Sequence, residues 1–277
     1  MPENCVETSL LHREYANKDF FGRVKSTVTA LHELDISVKY GELFGIIGPN
    51  GAGKTTTIKM LITLLPPTSG RATIGGLELS HSAREIRRII GYVPQMLSAD
   101  GSLTGRENLM IFAKLYDIPK EERERRIDEL LKFMDLAEAS DKLVKNYSGG
   151  MVRRLEIAQS MIHHPEILFL DEPTIGLDPV GRRAVWDFIK KLRLDFGTTI
   201  FLTTHYMEEA DKLCSRVAIM HLGKLAIVGE PSALKASLNL EDATLDDVFT
   251  HYTGGELDRG ESFRETRMAR RTARMVG

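Results

Sequence analysis

No stretch of this sequence comes near the ~20 consecutive apolar residues that a membrane-spanning helix needs. The first residues, Met1, Pro2, Glu3, Asn4 and Cys5, lack the charged leader and apolar core of a secretory signal. Cysteine is scarce. Cys5 and Cys214 stand far apart, in no metal-ligand spacing, and read as reduced structural thiols. The formal net charge of −2 leaves no global basic field of the kind a nucleic-acid binder carries. Repeats and low-complexity tracts are missing as well. The expectation is a chain that is cytosolic and soluble by itself. What is present is apolar content: 42% of 277 residues, enough for a sizeable core in one large domain or two small ones.

The most specific local pattern is Gly48, Pro49, Asn50, Gly51, Ala52, Gly53, Lys54, Thr55. It fits G-x-x-x-x-G-K-[ST], the phosphate-binding loop of nucleotide triphosphatases. Glycines let the backbone fold tightly round a triphosphate, with N–H groups and a helix N-terminus aimed at the β-phosphate. Lys54 would reach the β and γ oxygens, and Thr55 would offer its hydroxyl to Mg²⁺. Context supports the match. Residues 42–48 read as a short buried strand and 54–65 as a helix stopped by Pro66 and Pro67.

Elsewhere the pattern is mixed. Residues 1–47 look strand-rich, with strands expected at 28–31 and 34–38. Residues 71–79 suggest a hairpin about Gly75 and Gly76. A helix over 83–90 and a strand over 89–93 follow. From about 97 to 165 the character turns helical, with helices at 103–116 and 120–136. Ile127, Leu130, Leu131 and Met134 there fall at i, i+3, i+4, i+7. Strands return at 167–170, 198–203, 217–220 and 225–228, with helices at 180–194, 206–214 and 231–238. Alternating strands and helices imply an α/β fold with a mostly parallel core sheet and a helical insertion.

Residues 254–277 form a basic tail, with arginines at 259, 264, 267, 270, 271 and 274. It reads either as a solvated tail or as a basic helix for an anionic membrane face or a partner. Arg264, Arg267, Arg271 and Arg274 would then share one face.

A second constellation is the apolar run 167–170 followed by Asp171 and Glu172. Carboxylates at the C-terminal end of a parallel strand lie at the ligand edge of the sheet. Asp171 could hold Mg²⁺ and Glu172 could polarise a water attacking the γ-phosphate. Upstream, Tyr147, Ser148, Gly149, Gly150 and Met151 precede an apparent helix that Ser148 would cap.

With these motifs in this order, residues 6–253 resemble the ATP-binding subunit of an ABC transporter, of the drug-export type. The resemblance implies a P-loop NTPase fold with an antiparallel β subdomain and a helical subdomain at about 97–165. It makes residues 48–56, ending in Thr56, the Walker A loop. Gln95 matches the glutamine that touches Mg²⁺ and the attacking water. Ser148, Gly149 and Gly150 match the signature, though Tyr147 and Met151 stand where the family usually has Leu and Gln. Asp171 and Glu172 match the Walker B metal residue and catalytic base. Asp178 matches the loop that crosses the dimer interface, and His205 the switch histidine on the γ-phosphate. Phe21 is the match for the aromatic that stacks on adenine, with Phe20 or Tyr15 as alternatives. The resemblance further implies ATP and Mg²⁺, a second copy in an ATP-sandwich dimer and a separate transmembrane permease. It also implies a peripheral place on the cytoplasmic face of the membrane. No nucleic-acid partner is expected: neither a second cassette nor a coiled-coil insertion, the marks of ribosome or DNA-repair relatives, is present. The Ser-Gly-Gly core and Glu172 beside Asp171 also argue against a P-loop kinase.

Overall fold

The computed structural model describes residues 3–18 and 23–254. Its centre is a six-stranded sheet. Four strands carry the ligand-facing loops: β4 (Leu43–Ile47), β7 (Ile90–Val93), β8 (Ile167–Asp171) and β9 (Thr199–Thr204). Two more, β10 (Arg216–His221) and β11 (Lys224–Gly229), complete it in the order β11-β10-β4-β9-β8-β7. All pairings are parallel except the β10–β11 hairpin. Because side chains alternate along a strand, the sheet separates its apolar residues into two cores. Leu43, Leu168, Leu170, Ile200 and Leu202 fill one face, and Phe44, Ile46, Phe169 and Phe201 the other. Phe201 lies between Phe44 and Phe169, with ring centroids 5.6 and 5.2 Å away.

The second face is covered by α1 (Lys54–Leu61) and an antiparallel sheet. That sheet contains β1 (Asn4–Lys18), β2 (Val24–Leu34), β3 (Ser37–Lys39), β5 (Ser69–Ile74) and β6 (Leu77–Glu78). The expected hairpin at 71–79 is the β5–β6 pair. The strand expected over 34–38 is divided: β2 ends at Leu34 and β3 starts at Ser37. Asp35 and Thr8 account for the break, since Asp35 Oδ1 accepts from the Leu10 amide and Thr8 Oγ1 from the Ile36 amide. The helix expected over 54–65 stops at Leu61. Thr63 takes φ 64°, and the Leu64 and Leu65 amides turn back to Lys59 O. A residue before proline disfavours the α region, so the chain closes the helix ahead of Pro66.

The first face carries α3 (Gly105–Leu115), α4 (Lys120–Phe133), α5 (Gly149–Met161) and α6 (Pro179–Phe196). Thr104 and Glu107 form a reciprocal capping box at the start of α3. Ile127, Leu130, Leu131 and Met134 are all buried, as their spacing requires. Two short helices, α2 (Ala83–Ile89) and α7 (Met207–Leu213), flank β7 and β9. α8 (Pro231–Ala236) and α9 (Leu245–Thr253) finish the described chain. Cys5 and Cys214 are buried and unbridged. No described helix is long and apolar enough to cross a membrane.

Candidate functional site

Residues 48–53 join β4 to α1 at the C-terminal edge of the parallel sheet. Gly53 has φ 98°, and a Cβ there would stand 2.7 Å from Ala30 O, so only glycine fits. Lys54 folds back over this loop. Its Nζ donates to Gly48 O at 2.9 Å and to Pro49 O at 3.2 Å, and lies 3.1 Å from Glu172 Oε1. Thr55 Oγ1 donates to Asp171 Oδ1 at 3.2 Å. Thr56 is on the same first turn of α1, partly buried.

Strands β8 and β9 bring the acids and the histidine to the same edge. The Asp171 carboxylate is held by Thr203 Oγ1 at 2.6 Å, from the neighbouring strand. Its pKa is raised: burial pushes it up further than the Thr203 and Thr55 hydrogen bonds pull it down. Glu172 bonds to His205 Nδ1. Burial pushes the Glu172 carboxyl up too, but the His205 bond and the Lys54 charge outweigh it and hold the pKa below the ordinary carboxylate value. Glu172 also sits at φ 52°, a strained conformation for a side chain of this size. Its amide donates to Thr203 O at 3.0 Å, which helps fix that turn. Lys54, Asp171 and Glu172 are each no more than 4% exposed.

The donor chemistry suits Mg²⁺. Thr55 and Asp171 offer a hydroxyl and a buried carboxylate as adjacent oxygen donors, and Asp171 carries a charge that its surroundings undercompensate.

Gln95 lies on the exposed loop after β7, the strand beside β8. Ser148 caps α5 through the Met151 amide at 3.3 Å, and Asp178 caps α6 through the Gly181 amide at 3.2 Å. These two helix starts pack together: a Cβ on Gly150 would lie 3.3 Å from Gly181 Cα. Ser148 and Gly149 are exposed. Among the described residues, no hydrogen bond or ion pair joins Ser148, Gly149 or Gly150 to the 48–56 loop, Asp171, Glu172 or His205. Phe21 and the basic tail beyond Gly254 lie outside the described residues.

A model of the ABC transporter family matches residues 31–175. A daunorubicin resistance ATP-binding protein from Streptomyces coeruleorubidus is 46% identical over 207 residues, which are 75% of this chain and 65% of the relative. A Nod factor export ATP-binding protein from Paraburkholderia xenovorans is 39% identical over 237 residues, 86% of this chain and 74% of the relative. The chain belongs to the ABC transporter family. It spans about two thirds of the length of the first of these relatives. Among solved structures, a dimeric ATP-binding cassette in a post-hydrolysis state, bound to ADP and Pi, superposes with a TM-score of 0.71 at 26% identity. That match covers 81% of this chain and 98% of the other, so the ABC fold expected from the motifs is the fold observed.

Two residues at or beside this cluster escaped the sequence reading. Thr203 holds Asp171 by its hydroxyl and takes the Glu172 amide on its carbonyl. Glu209, fully buried on α7, accepts from Thr174 Oγ1 at 2.7 Å and from Trp186 Nε1 at 2.8 Å. A threonine inside an apolar strand signals little. Two adjacent acids in the run Met207, Glu208, Glu209 look like a solvated helix face.

Proposed function

We propose that this chain binds and hydrolyses ATP as the nucleotide-binding subunit of an ABC exporter, driving transport through a separate membrane permease. The observation that carries the reading is the buried cluster at the mouth of the phosphate loop. There Glu172 is pinned between Lys54 and His205, next in the chain to Asp171, which Thr203 holds from the neighbouring strand. The relatives' names, drug resistance and Nod factor export, support export.

In this mechanism the triphosphate lies along residues 48–56, with the first turn of α1 aimed at its charge. Lys54 Nζ exchanges Glu172 for phosphate oxygens, which leaves the Glu172 carboxylate free to take a proton from the attacking water. His205 keeps one Glu172 oxygen oriented and contacts the γ-phosphate. Gln95 orients the water from the loop after β7. Thr55 and Asp171 would hold Mg²⁺, which supplies neutralisation of phosphate charge when bound. Phe21 is the proposed stacking partner of the adenine.

Ser148, Gly149 and Gly150 serve the nucleotide of a second copy, with Asp178 at the same junction. The related cassette forms a dimer, and the exposure of Ser148 leaves it available across such an interface. Hydrolysis removes the bridging γ-phosphate contact and the pair loosens. The helical segment 97–165 relays that movement to a permease, with the pair held peripherally on the cytoplasmic face. Residues 1–253 act as the ATPase unit and 254–277 as a basic extension. No nucleic acid takes part.

The test is Glu172→Gln in the full chain. Turnover should fall to background while ATP stays bound and an ATP-dependent dimer accumulates on size-exclusion chromatography. Hydrolysis near the wild-type rate would remove Glu172 from its role.

A further inference from the structure

Helix α5 buries two opposite charges among its apolar residues. The Arg153 and Glu156 side chains are each 1% exposed, with Arg153 Nη1 lying 3.0 Å from Glu156 Oε2. A buried ion pair is costly unless its other donors and acceptors are used. Here most of them are used on a single loop, with Arg153 Nε left buried and without a hydrogen-bond partner. Arg153 Nη1 donates to Pro94 O at 2.7 Å and Nη2 donates to Gln95 O at 2.9 Å. Glu156 Oε1 accepts from the Ser98 amide, from Ser98 Oγ at 3.1 Å and from the Ala99 amide at 3.3 Å. The cation grips the start of the loop by its carbonyls and the anion grips its end by its amides. Between them Met96 and Leu97 are 79% and 56% exposed, so apolar burial does little to hold the segment. Hydrogen bonds to charged groups are the stronger kind, which makes this pair the main restraint on the loop.

We propose that Arg153 and Glu156 are positioning residues that set the backbone of Gln95 from the helix that begins at Ser148. The proposal rests on the reading of Gln95 as a residue of the ATP site. It has a mechanical consequence. Arg153 and Glu156 lie five and eight residues beyond Ser148 on one rigid helix, so any shift of Ser148 against a partner's nucleotide carries the Gln95 loop with it. Glutamine placement in one site then depends on occupancy of the other.

The rival is a pair that only fills the core. In that case, replacing both charges together with apolar residues of similar volume is neutral or stabilising. The discriminating variant is therefore Arg153→Met with Glu156→Leu in the full chain. It should stay folded, while exchange of the Ser98 and Ala99 amides with D₂O accelerates about tenfold or more as their charged acceptor disappears. Turnover number should fall by about 10²-fold, the scale of an ångström-sized misplacement, with KM for ATP unchanged. Amide exchange as slow as in the wild type overturns the proposal. So does fast exchange with unchanged turnover, when Gln95→Ala itself slows the enzyme. If Gln95→Ala leaves turnover untouched, the reading of Gln95 is what fails, and amide exchange alone decides whether the pair anchors the loop. Should the double variant not fold, Ser98→Pro takes its place. It deletes both Ser98 donors, the amide and the hydroxyl, on an exposed residue and leaves the ion pair intact, and the same two readouts apply, with exchange followed at Ala99.

Discussion

Asp171 and Glu172 are neighbours in sequence with opposite electrostatic settings. Glu172 gains two partners, His205 and Lys54, and its pKa falls below the unfolded value of 4.5. A depressed carboxylate contributes stability that is present above the unfolded pKa and is lost as pH falls through the folded one. Asp171 is raised above 3.8, chiefly by burial. Its ionised form therefore opposes folding at neutral pH, and that cost disappears on acidification. Two outcomes follow. Glu172→Gln should flatten the acid limb of the stability curve below about pH 5, read by urea melts across that range. Asp171→Asn should raise the melting temperature measured without Mg²⁺ by roughly 2–4 °C for each kcal/mol of relieved burial cost, while abolishing turnover. A drop in melting temperature for Asp171→Asn would show that the Thr55 and Thr203 bonds outweigh the buried charge.

At the scale of elements, Glu209 ties three parts of the site together. It sits on α7 just after His205, and its hydrogen bonds reach Thr174, two residues past Glu172, and Trp186 on α6. Burial raises its pKa against the hydrogen bonds it accepts, so the buried charge carries a cost that the neutral amide of glutamine does not. Glu209→Gln should then cost less than about 1 kcal/mol in urea unfolding. Glu209→Ala, which orphans the Trp186 and Thr174 donors, should cost about 2–4 kcal/mol. Contacts of this kind mark where sequence reading stopped. The loop around Lys54 and the apolar strand ending in Asp171 were legible because each is a local pattern with local consequences. Strand β1 was not. Register shifts at Leu11, Arg13 and Glu14 break its alternation, and it pairs with β3, β5 and β2 in turn. Helix α9 has a capping box at Thr244 and Asp247 that went unread, because the residues after it change to a polar tail. Arg153, Glu156 and Glu209 carry charge on helices, where the ordinary expectation is solvent. Only the packing of α5 and α7 onto the sheet shows them buried.

At the scale of the molecule, the question is which chain completes which site. Ser148 is exposed at a helix start packed against the start of α6, and within one chain it makes no bond to Lys54 or Glu172. If the partner's Ser148 completes the site, the unit of activity is a pair, and complementation follows from its two-fold symmetry. Lys54→Ala and Ser148→Ala should each be nearly inactive alone. In a mixture, half of the dimers pair one chain of each kind. One of their two sites is then doubly defective, and the other has an intact Lys54 facing an intact Ser148. An equimolar mixture should therefore recover roughly a quarter of the wild-type rate per chain. If Ser148 served its own chain's nucleotide, the mixture could never exceed the mean of the two defective proteins. The same logic makes the rate per chain of the wild type rise with protein concentration until dimers dominate. A rate per chain that is constant on dilution into the monomeric range would assign the whole reaction to a single copy.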